Sequence, residues 1–229
     1  MTVRGILFDV DDTLVDYSAT ARAGILAHLA AEGLLDRFES AEHAVALWKE
    51  LEEREYPRYL AGELTFTGQQ ELRSELLLAH IGASTDDPRA WFDRYVALRD
   101  TTWAAFPDAE PLLSALTGRI AVGVVSNSSR SHQVGKLRTV GLLPHFGEAV
   151  LCSAEFGTPK PRPDIFLAGC ELLGLPPQQV AYVGDRWDVD GVGARDAGLH
   201  AYWLNRAAAG TTVRDGVTVI HSLTSLSTL

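Results

Sequence analysis

The chain contains little cysteine, and it has neither a long apolar run nor a leader-like beginning. Its two cysteines, Cys152 and Cys170, lie in apolar surroundings without Cys-x-x-Cys spacing, so we expect buried, reduced thiols, which are typical of a reducing compartment. No apolar run reaches about 18 residues, the length that a membrane-spanning helix needs. No basic-then-apolar signal segment opens the chain. These absences predict a cytoplasmic protein with no membrane partner.

Positive charge is also scarce. The 20 Lys and Arg residues are outnumbered by 30 Asp and Glu residues, which gives a net charge of −10. This balance argues against a nucleic acid polymer as a partner, because a polyanion would be repelled. An anionic substrate would need a local source of positive charge, either a metal ion or one of only three lysines, Lys49, Lys136 and Lys160.

What the chain does have is the length and composition of a soluble globular protein. It has 229 residues, of which 46% are hydrophobic and 22% are charged. This length allows one large domain, or a domain that carries an insertion, and it suffices to bury a core. The sequence leaves the oligomeric state open between a monomer and a homodimer.

The stretch from Ile6 to Val15 places an apolar run directly before three carboxylates. The run is typical of a strand buried on both faces. Asp9 and Asp11 are two residues apart, so in an extended chain both would project to one side and could hold a divalent ion. An alternative is that Asp11 and Asp12 start a turn and cap the next helix.

Residues 16–105 have a helical pattern, and no stretch among them is a convincing strand. Pro57 is predicted to bend or end one helix. Thr67 fits the first position of a capping box, and Asp87, which precedes a proline, fits an N-cap. We therefore expect an all-helical block.

From Phe106 onwards, apolar strands alternate with helices. Asp108 is predicted to cap a helix at 109–116. The predicted strands are 120–125, 149–152, 180–183, 200–204 and 217–220. Alternation of this kind predicts a parallel sheet with right-handed crossovers. The expected fold is α/β: a doubly wound, Rossmann-like core formed by 1–15 and 106–229, with an inserted all-helical cap domain at 16–105.

Polar residues follow the predicted strands at the edge where open parallel sheets bind ligands. Singly, each group has an ordinary explanation as a turn, a helix cap or a solvated spacer. Together they bring acids, a hydroxyl, an amide and a lysine to one edge. The residues are Asp9, Asp11, Asp12, Ser126, Asn127, Lys160, Asp185, Asp188 and Asp190.

In these motifs the chain resembles the haloacid dehalogenase superfamily of hydrolases. The stretch from Asp9 to Leu14 matches the first family motif, DxDx[TV][LV], and Ser126 at a strand end matches the second. Lys160 matches the third, and Gly184-Asp185 followed by Asp190 matches the fourth. The helical block lies where family members with the first type of cap carry theirs.

The resemblance implies a metal-dependent phosphatase. Asp9 would be the nucleophile that forms an aspartyl-phosphate, and Asp11 would be the general acid and base. Mg²⁺ would be held by the Asp9 carboxylate, the Asp11 carbonyl and Asp185. Asp190 would orient the waters on the metal, although it could also be a direct ligand.

The resemblance also assigns the residues around the phosphoryl group. Ser126 and the Asn127 region would hydrogen-bond it, and Lys160 would offset its charge. Thr13 would position the loop after the nucleophile. The implied substrate is a small phosphorylated metabolite.

Other activities of the same superfamily remain as alternatives. Dehalogenases generally lack the second aspartate, so Asp11 favours phosphorus chemistry, whereas a sugar phosphomutase shares the core motifs. A phospho-accepting receiver domain also uses acids, a hydroxyl and a lysine at strand ends, but the helical insertion argues against it. A binding module without catalysis is disfavoured by the intact motifs.

Overall fold

The computed structural model describes residues 2–207 and 212–228, which form two compact units. One unit joins Met1–Asp16 to Ala104–Leu229, and the other is Tyr17–Trp103. The first is an α/β unit and the second consists of helices. Among the described residues, no helix combines the length and the apolar character that crossing a membrane would require.

The α/β unit is built on a seven-stranded sheet of described residues. Its strands are β1 Gly5–Phe8, β2 Ala121–Ser126, β3 Val150–Cys152, β4 Val180–Gly184, β5 His200–Leu204, β6 Thr212–Arg214 and β7 Val217–Ile220. The spatial order is β3-β2-β1-β4-β5-β7-β6, and all neighbours are parallel except β6 and β7. The predicted α/β architecture with a parallel sheet is thereby confirmed, except for the antiparallel pair of β6 and β7. β1 and β4 are fully buried, as expected of central strands that have helices on both faces.

The antiparallel edge strand β6 was not predicted. Its residues Thr212–Arg214 are exposed and have no apolar alternation. They pair with β7 across Asp215 and Gly216, which both have positive φ, at 49° and 78°. That geometry is the two-residue hairpin turn for which Asp-Gly is a preferred sequence. The Asp-Gly pair therefore indicates the hairpin, whereas the sequence of β6 itself does not indicate a strand.

The helices of the α/β unit pack against the sheet. They are α5 Ala109–Leu116, α6 Arg130–Thr139, α7 Leu143–Phe146, α8 Ser153–Phe156, α9 Pro163–Leu172 and α10 Gly193–Asp196. Helix α9 lies close to the sheet because of Gly169, where an added Cβ would come within 2.7 Å of Leu7 and 2.8 Å of Val125. Leu7, Phe166 and Tyr182 belong to the core of this unit. Helix α9 and the sheet therefore share one densely packed core.

The helical unit contains α1 Tyr17–Ala31, α2 Ala41–Leu60, α3 Phe66–His80 and α4 Pro88–Arg99. None of residues 17–103, all of which are described, belongs to a strand. Trp48, Trp91 and Tyr95 are buried in its core, and Trp48 contacts each of the other two edge to face. These helices bury their aromatic faces against each other, which accounts for the helical periodicity of the sequence.

The helix ends test three of the predictions. Asp87 accepts a hydrogen bond from the Ala90 amide at 2.8 Å, so the predicted N-cap of α4 is confirmed. The predicted cap at Thr67 is wrong, because α3 starts two residues earlier, with Thr65 accepting from Gly68 at 2.9 Å. Helix α2 continues to Leu60, so Pro57 does not end it at that point.

The chain leaves and re-enters the α/β unit through two adjacent segments, residues 14–16 and 104–106, which we call the neck. Asp16 donates its amide to the Ala104 carbonyl at 3.0 Å, and Phe106 donates to the Leu14 carbonyl at 2.9 Å. Val15 and Ala105 form an antiparallel bridge. The neck therefore closes the α/β unit with its own hydrogen bonds.

Asp108, which follows the neck, does not cap α5 as predicted. Its carboxylate makes no capping bond and instead accepts two hydrogen bonds from the Arg206 guanidinium, both at 3.0 Å. Ser222 and the Leu223 amide also donate to it, at 2.8 and 2.9 Å. The competing partner is a bidentate arginine, which is a stronger donor to a carboxylate than a backbone amide is.

Candidate active site

The predicted motif residues of the α/β unit meet at the carboxyl-terminal edge of the sheet. Phe8 is in register with Val124 of β2 and with Val183 of β4, so the residues that follow lie side by side. Asp9 comes directly after β1, Ser126 ends β2, and Asp185 comes directly after β4. The parallel register thus brings together residues that are more than a hundred positions apart in the sequence.

Three carboxylates form the centre of the site. Each of Asp9, Asp185 and Asp190 offers an oxygen that lies within 4.8 Å of the other two. Burial, together with the charges of neighbouring carboxylates, raises the pKa of Asp9 from 3.8 to about 7, although Lys160 acts in the opposite direction. Burial and the charges of Asp9 and Asp190 raise the pKa of Asp185 to about 8. Negative charge is therefore in excess here, and an oxygen-only donor set could hold a hard divalent cation.

Lys160 lies among these carboxylates and is almost fully buried. Its Nζ donates to Asp9 Oδ1 at 2.7 Å, to Asp190 Oδ1 at 2.8 Å and to the Tyr182 hydroxyl at 2.7 Å. Burial would lower the pKa of Lys160, but the charges of Asp190 and Asp9 outweigh it and raise that pKa above its ordinary value. The lysine is therefore a permanent positive charge beside the predicted nucleophile.

Asp190 is held in place through both of its carboxylate oxygens. Oδ1 accepts from Lys160, and Oδ2 accepts from the Arg186 amide at 3.0 Å. The residue lies on a π-helical turn, Trp187–Val192, and such turns are frequent at functional sites. Gly184 makes room for it, because an added Cβ there would lie 2.3 Å from Asp190 Cγ. The glycine of the fourth motif thus has a steric reason.

The Asn127 side chain braces the loop that carries Lys160. Its Oδ1 accepts from the Lys160 amide at 2.7 Å, and its Nδ2 donates to the Lys160 carbonyl at 2.9 Å. Both atoms of the amide group thus bond the backbone of the lysine. The predicted contact of Asn127 with a phosphoryl group stays a prediction.

Asp11 lies in different surroundings from Asp9. Its Oδ2 accepts from Gln133 Nε2 at 2.8 Å, and its Oδ1 accepts from Lys136 Nζ. Gln133 Nε2 also donates to Ser126 Oγ at 2.9 Å. Burial would raise the pKa of Asp11, but the charge and hydrogen bond of Lys136 and the hydrogen bond of Gln133 outweigh it and lower that pKa. The two aspartates of the first motif therefore have separate cationic partners.

Sequence reasoning missed three of these contacts. The sequence predicts Tyr182 only as part of a buried strand, because a tyrosine there does not differ in pattern from a core aromatic. Gln133 and Lys136 lie on the helix that follows Ser126, three residues apart and thus on one face. The available signal was a lysine, scarce in this chain, on the helix next to a motif strand.

Asp12 and Thr13 complete the loop. Asp12 has a φ of 55° and donates its amide to the Val15 carbonyl at 2.8 Å, so it belongs to a turn. Helix α1 begins only at Tyr17, so the interpretation of Asp12 as its cap is wrong. Thr13 Oγ1 is buried and has no hydrogen-bond partner in the described part of the chain, while its carbonyl accepts from Arg206 at 2.9 Å.

Comparisons with known proteins agree with this geometry. A sequence model of the haloacid dehalogenase-like hydrolases matches residues 3–198. The glyceraldehyde 3-phosphate phosphatase of Methanopyrus kandleri is 33% identical over 217 residues, which cover 89% of this chain and 84% of that protein.

Solved structures show the same fold. The magnesium-bound HAD-hydrolase YfnB from Bacillus subtilis has a TM-score of 0.81 at 22% identity, over 99% of this chain and 97% of that one. The L-2-haloacid dehalogenase from Xanthobacter autotrophicus has a TM-score of 0.76 at 20% identity, over 99% of this chain and 98% of that one. Because one fold serves both, the side chains of the site must indicate the reaction.

Proposed function

This chain belongs to the haloacid dehalogenase-like hydrolases, and we propose that it is a cytoplasmic, Mg²⁺-dependent phosphatase of a small phosphorylated metabolite. The observation that carries the proposal is the separation of two neighbouring aspartates. Asp9 lies in the carboxylate cluster beside Lys160, whereas Asp11 lies outside the cluster beside Lys136. Phosphate ester hydrolysis needs both a nucleophile and a proton carrier.

The reaction runs in two steps. A carboxylate oxygen of Asp9 forms a bond to phosphorus while the bond to the ester oxygen breaks, and the protonated form of Asp11 gives its proton to the leaving alcohol. Because Lys136 and Gln133 lower the pKa of Asp11, this protonated form is the minor one near neutral pH. Water then attacks the aspartyl-phosphate, the bond between phosphorus and Asp9 breaks, and Asp11 takes the proton from the water. The products are an alcohol and inorganic phosphate, and Asp9 is regenerated.

The remaining groups stabilise charge and fix positions. Lys160 offsets the charge of the phosphoryl group, and Ser126 donates a hydrogen bond to it. Asp9, Asp185 and the Asp11 carbonyl would hold Mg²⁺, with Asp190 orienting its waters. Bound there, Mg²⁺ supplies positive charge for the transferring phosphoryl group. Phosphate monoesters are among the slowest substrates to hydrolyse unaided, so several such contributions of about 3–4 kcal/mol each are needed.

The substrate class follows from charge and from a relative. A net charge of −10 disfavours polyanions, while the positive charge of Lys160 and of a cation suits a compact phosphate ester. The similarity to a glyceraldehyde 3-phosphate phosphatase supports a small sugar-phosphate or related metabolite. The proposal includes a cap function for the helical unit, which would select the alcohol portion of the substrate.

The test is phosphate release from an aryl phosphate and from a panel of phosphorylated metabolites, with Mg²⁺ and with EDTA. We expect activity that requires Mg²⁺ and that falls at least about a thousandfold in Asp9→Asn, because the covalent step is lost. Asp196→Asn, which changes an exposed aspartate on α10, is the matched control and should retain activity. Activity that survives EDTA or Asp9→Asn, or halide release from a 2-haloacid without any phosphatase activity, contradicts the proposal.

A further inference from the structure

Lys136 and Gln133 project from one helix, α6, into the side of the candidate active site. The Lys136 side chain is only 1% exposed, and Gln133 is fully buried. Both donate to the Asp11 carboxylate, one to each oxygen. A buried lysine and a buried glutamine are costly unless their donors are satisfied. The chain nevertheless places both on a single aspartate more than 120 positions away.

The contacts restrict where the Asp11 carboxylate can go. Asp11 follows Asp9 by two residues, and its oxygens are as suitable for a divalent cation as those of Asp9. The group of carboxylates within 4.8 Å of one another contains Asp9, Asp185 and Asp190 but not Asp11. Two donors from α6 therefore hold Asp11 beside the cluster rather than in it.

Gln133 extends this arrangement to the phosphoryl-binding side. Its Nε2 lies 2.8 Å from Asp11 Oδ2 and 2.9 Å from Ser126 Oγ, so one amide nitrogen bonds both residues. The start of α6 is fixed in turn, because Ser129 caps it and Glu155 accepts from the Arg130 amide at 2.9 Å. Helix α6 therefore fixes the positions of Asp11 and Ser126 relative to each other through Gln133.

We propose that Lys136 and Gln133 are positioning residues that hold the Asp11 carboxylate apart from the metal-binding carboxylates, so that it serves proton transfer alone. The inference rests on the proposed phosphatase function. Lys136 donates to the Asp11 carboxylate, and in this proposal it acts on the reaction through that carboxylate. Accordingly, loss of Lys136 should impair the steps that use Asp11 and leave the formation of the substrate complex intact.

The first experiment compares Lys136→Met with Lys49→Met. Lys49 is an exposed lysine paired with Glu53 in the helical unit, so its substitution controls for the loss of one lysine. With an aryl phosphate, the leaving group departs without a proton, so the first step of Lys136→Met should stay fast. Hydrolysis of the aspartyl-phosphate should slow by about 10–100-fold, part of the 10²–10⁴-fold that general acid–base catalysis provides. For Lys136→Met we therefore expect a burst of the aryl alcohol and a reduced kcat, with little change in the dissociation constant of the substrate.

The second experiment tests whether the effect passes through Asp11. In an Asp11→Asn background, Lys136→Met should cost less than about twofold further, because the group it positions is already lost. An equal loss in both backgrounds would mean a general structural role and would overturn the inference. Gln133→Met is the second variant, and we expect the same burst from it. It keeps the inference testable if Lys136→Met does not fold.

The outcomes separate the inference from the function on which it rests. A wild-type protein without Mg²⁺-dependent phosphatase activity overturns both the proposed function and the inference on Lys136 and Gln133. An active wild type, together with a Lys136→Met variant that matches Lys49→Met in burst and in kcat, overturns the inference alone.

Discussion

Replacing Lys160 by methionine removes the ammonium group that lies between two buried carboxylates. Methionine keeps nearly the length of the lysine stem, so the substitution deletes charge and hydrogen bonds with little change in volume. The groups left behind are Asp9, whose side chain is 10% exposed, and Asp190, whose side chain is 1% exposed. Neither can recover its lost partner from water without a rearrangement of the site.

The expected loss of stability follows from this burial. Removing one partner of a buried ion pair typically costs about 3–5 kcal/mol, because the other charge stays buried without compensation. In a protein of this size each kcal/mol lowers Tm by roughly 2–4 °C, so Lys160→Met should unfold roughly 6–20 °C below the wild type. The difference should narrow in acid, where protonated carboxylates need no counter-charge.

The assay is thermal unfolding near neutral pH in EDTA, followed by circular dichroism. Lys49→Met is the control, since its ion pair is exposed and worth about 0.3–0.5 kcal/mol, which predicts a shift of less than about 2 °C. Adding Asp190→Asn to Lys160→Met should recover part of the loss, because it removes one of the two unpaired charges. If Lys160→Met unfolds at the temperature of Lys49→Met, or if the double variant recovers nothing, the reasoning on buried charge is refuted.

Two further predictions concern the same cluster. The pKa values of Asp9 and Asp185 are raised from 3.8 to about 7 and about 8, chiefly by burial, so the folded metal-free site retains protons that the unfolded chain has released. The stability of the metal-free protein should therefore fall as the pH rises from about 4 to about 8. Mg²⁺ should raise Tm more near pH 8 than near pH 5, because it competes with these protons. Equal Tm shifts at both pH values would count against the assigned carboxylates. Gly184→Ala should displace Asp190 and lower the apparent affinity for Mg²⁺, measured from the rise of Tm with Mg²⁺ concentration, by at least about tenfold. The circular dichroism spectrum of this variant should stay near that of the wild type. An unchanged Mg²⁺ titration of this variant would show that the site accommodates the methyl group.

Much of the fold could be predicted because its strands are nearly continuous apolar runs. Segments such as Gly5–Phe8 and Val180–Gly184 are buried on both faces, so their sequences differ clearly from the flanking helices. The edge strand Thr212–Arg214 lacks this signal, since pairing through backbone hydrogen bonds requires no particular side chains. Helix starts were less certain, because Thr65 and Thr67 have the same capping chemistry and only the packing of α3 selects between them.

The candidate site was predictable to the extent that its residues follow strands. Asp9 and Asp185 come directly after central strands, and the register of a parallel sheet then brings them together. Lys136 and Tyr182 could not be assigned in this way, because their partners are distant in sequence and their positions resemble ordinary helix and core residues. Their contacts depend on how α6 and β4 pack, which a single sequence does not state.

The neck has a consequence for how this architecture can vary. Residues 14–16 and 104–106 are joined by their own hydrogen bonds, so the α/β unit is closed at that point whatever the chain does in between. For a loop that leaves and returns through such a junction, doubling its length adds only about 0.6 kcal/mol of closure entropy. Insertions of different size and shape can therefore be exchanged at the neck while strand order and register persist. The molecule is in this sense modular: the sheet and its loops form one part, and the segment between the two sides of the neck is a part that could be replaced.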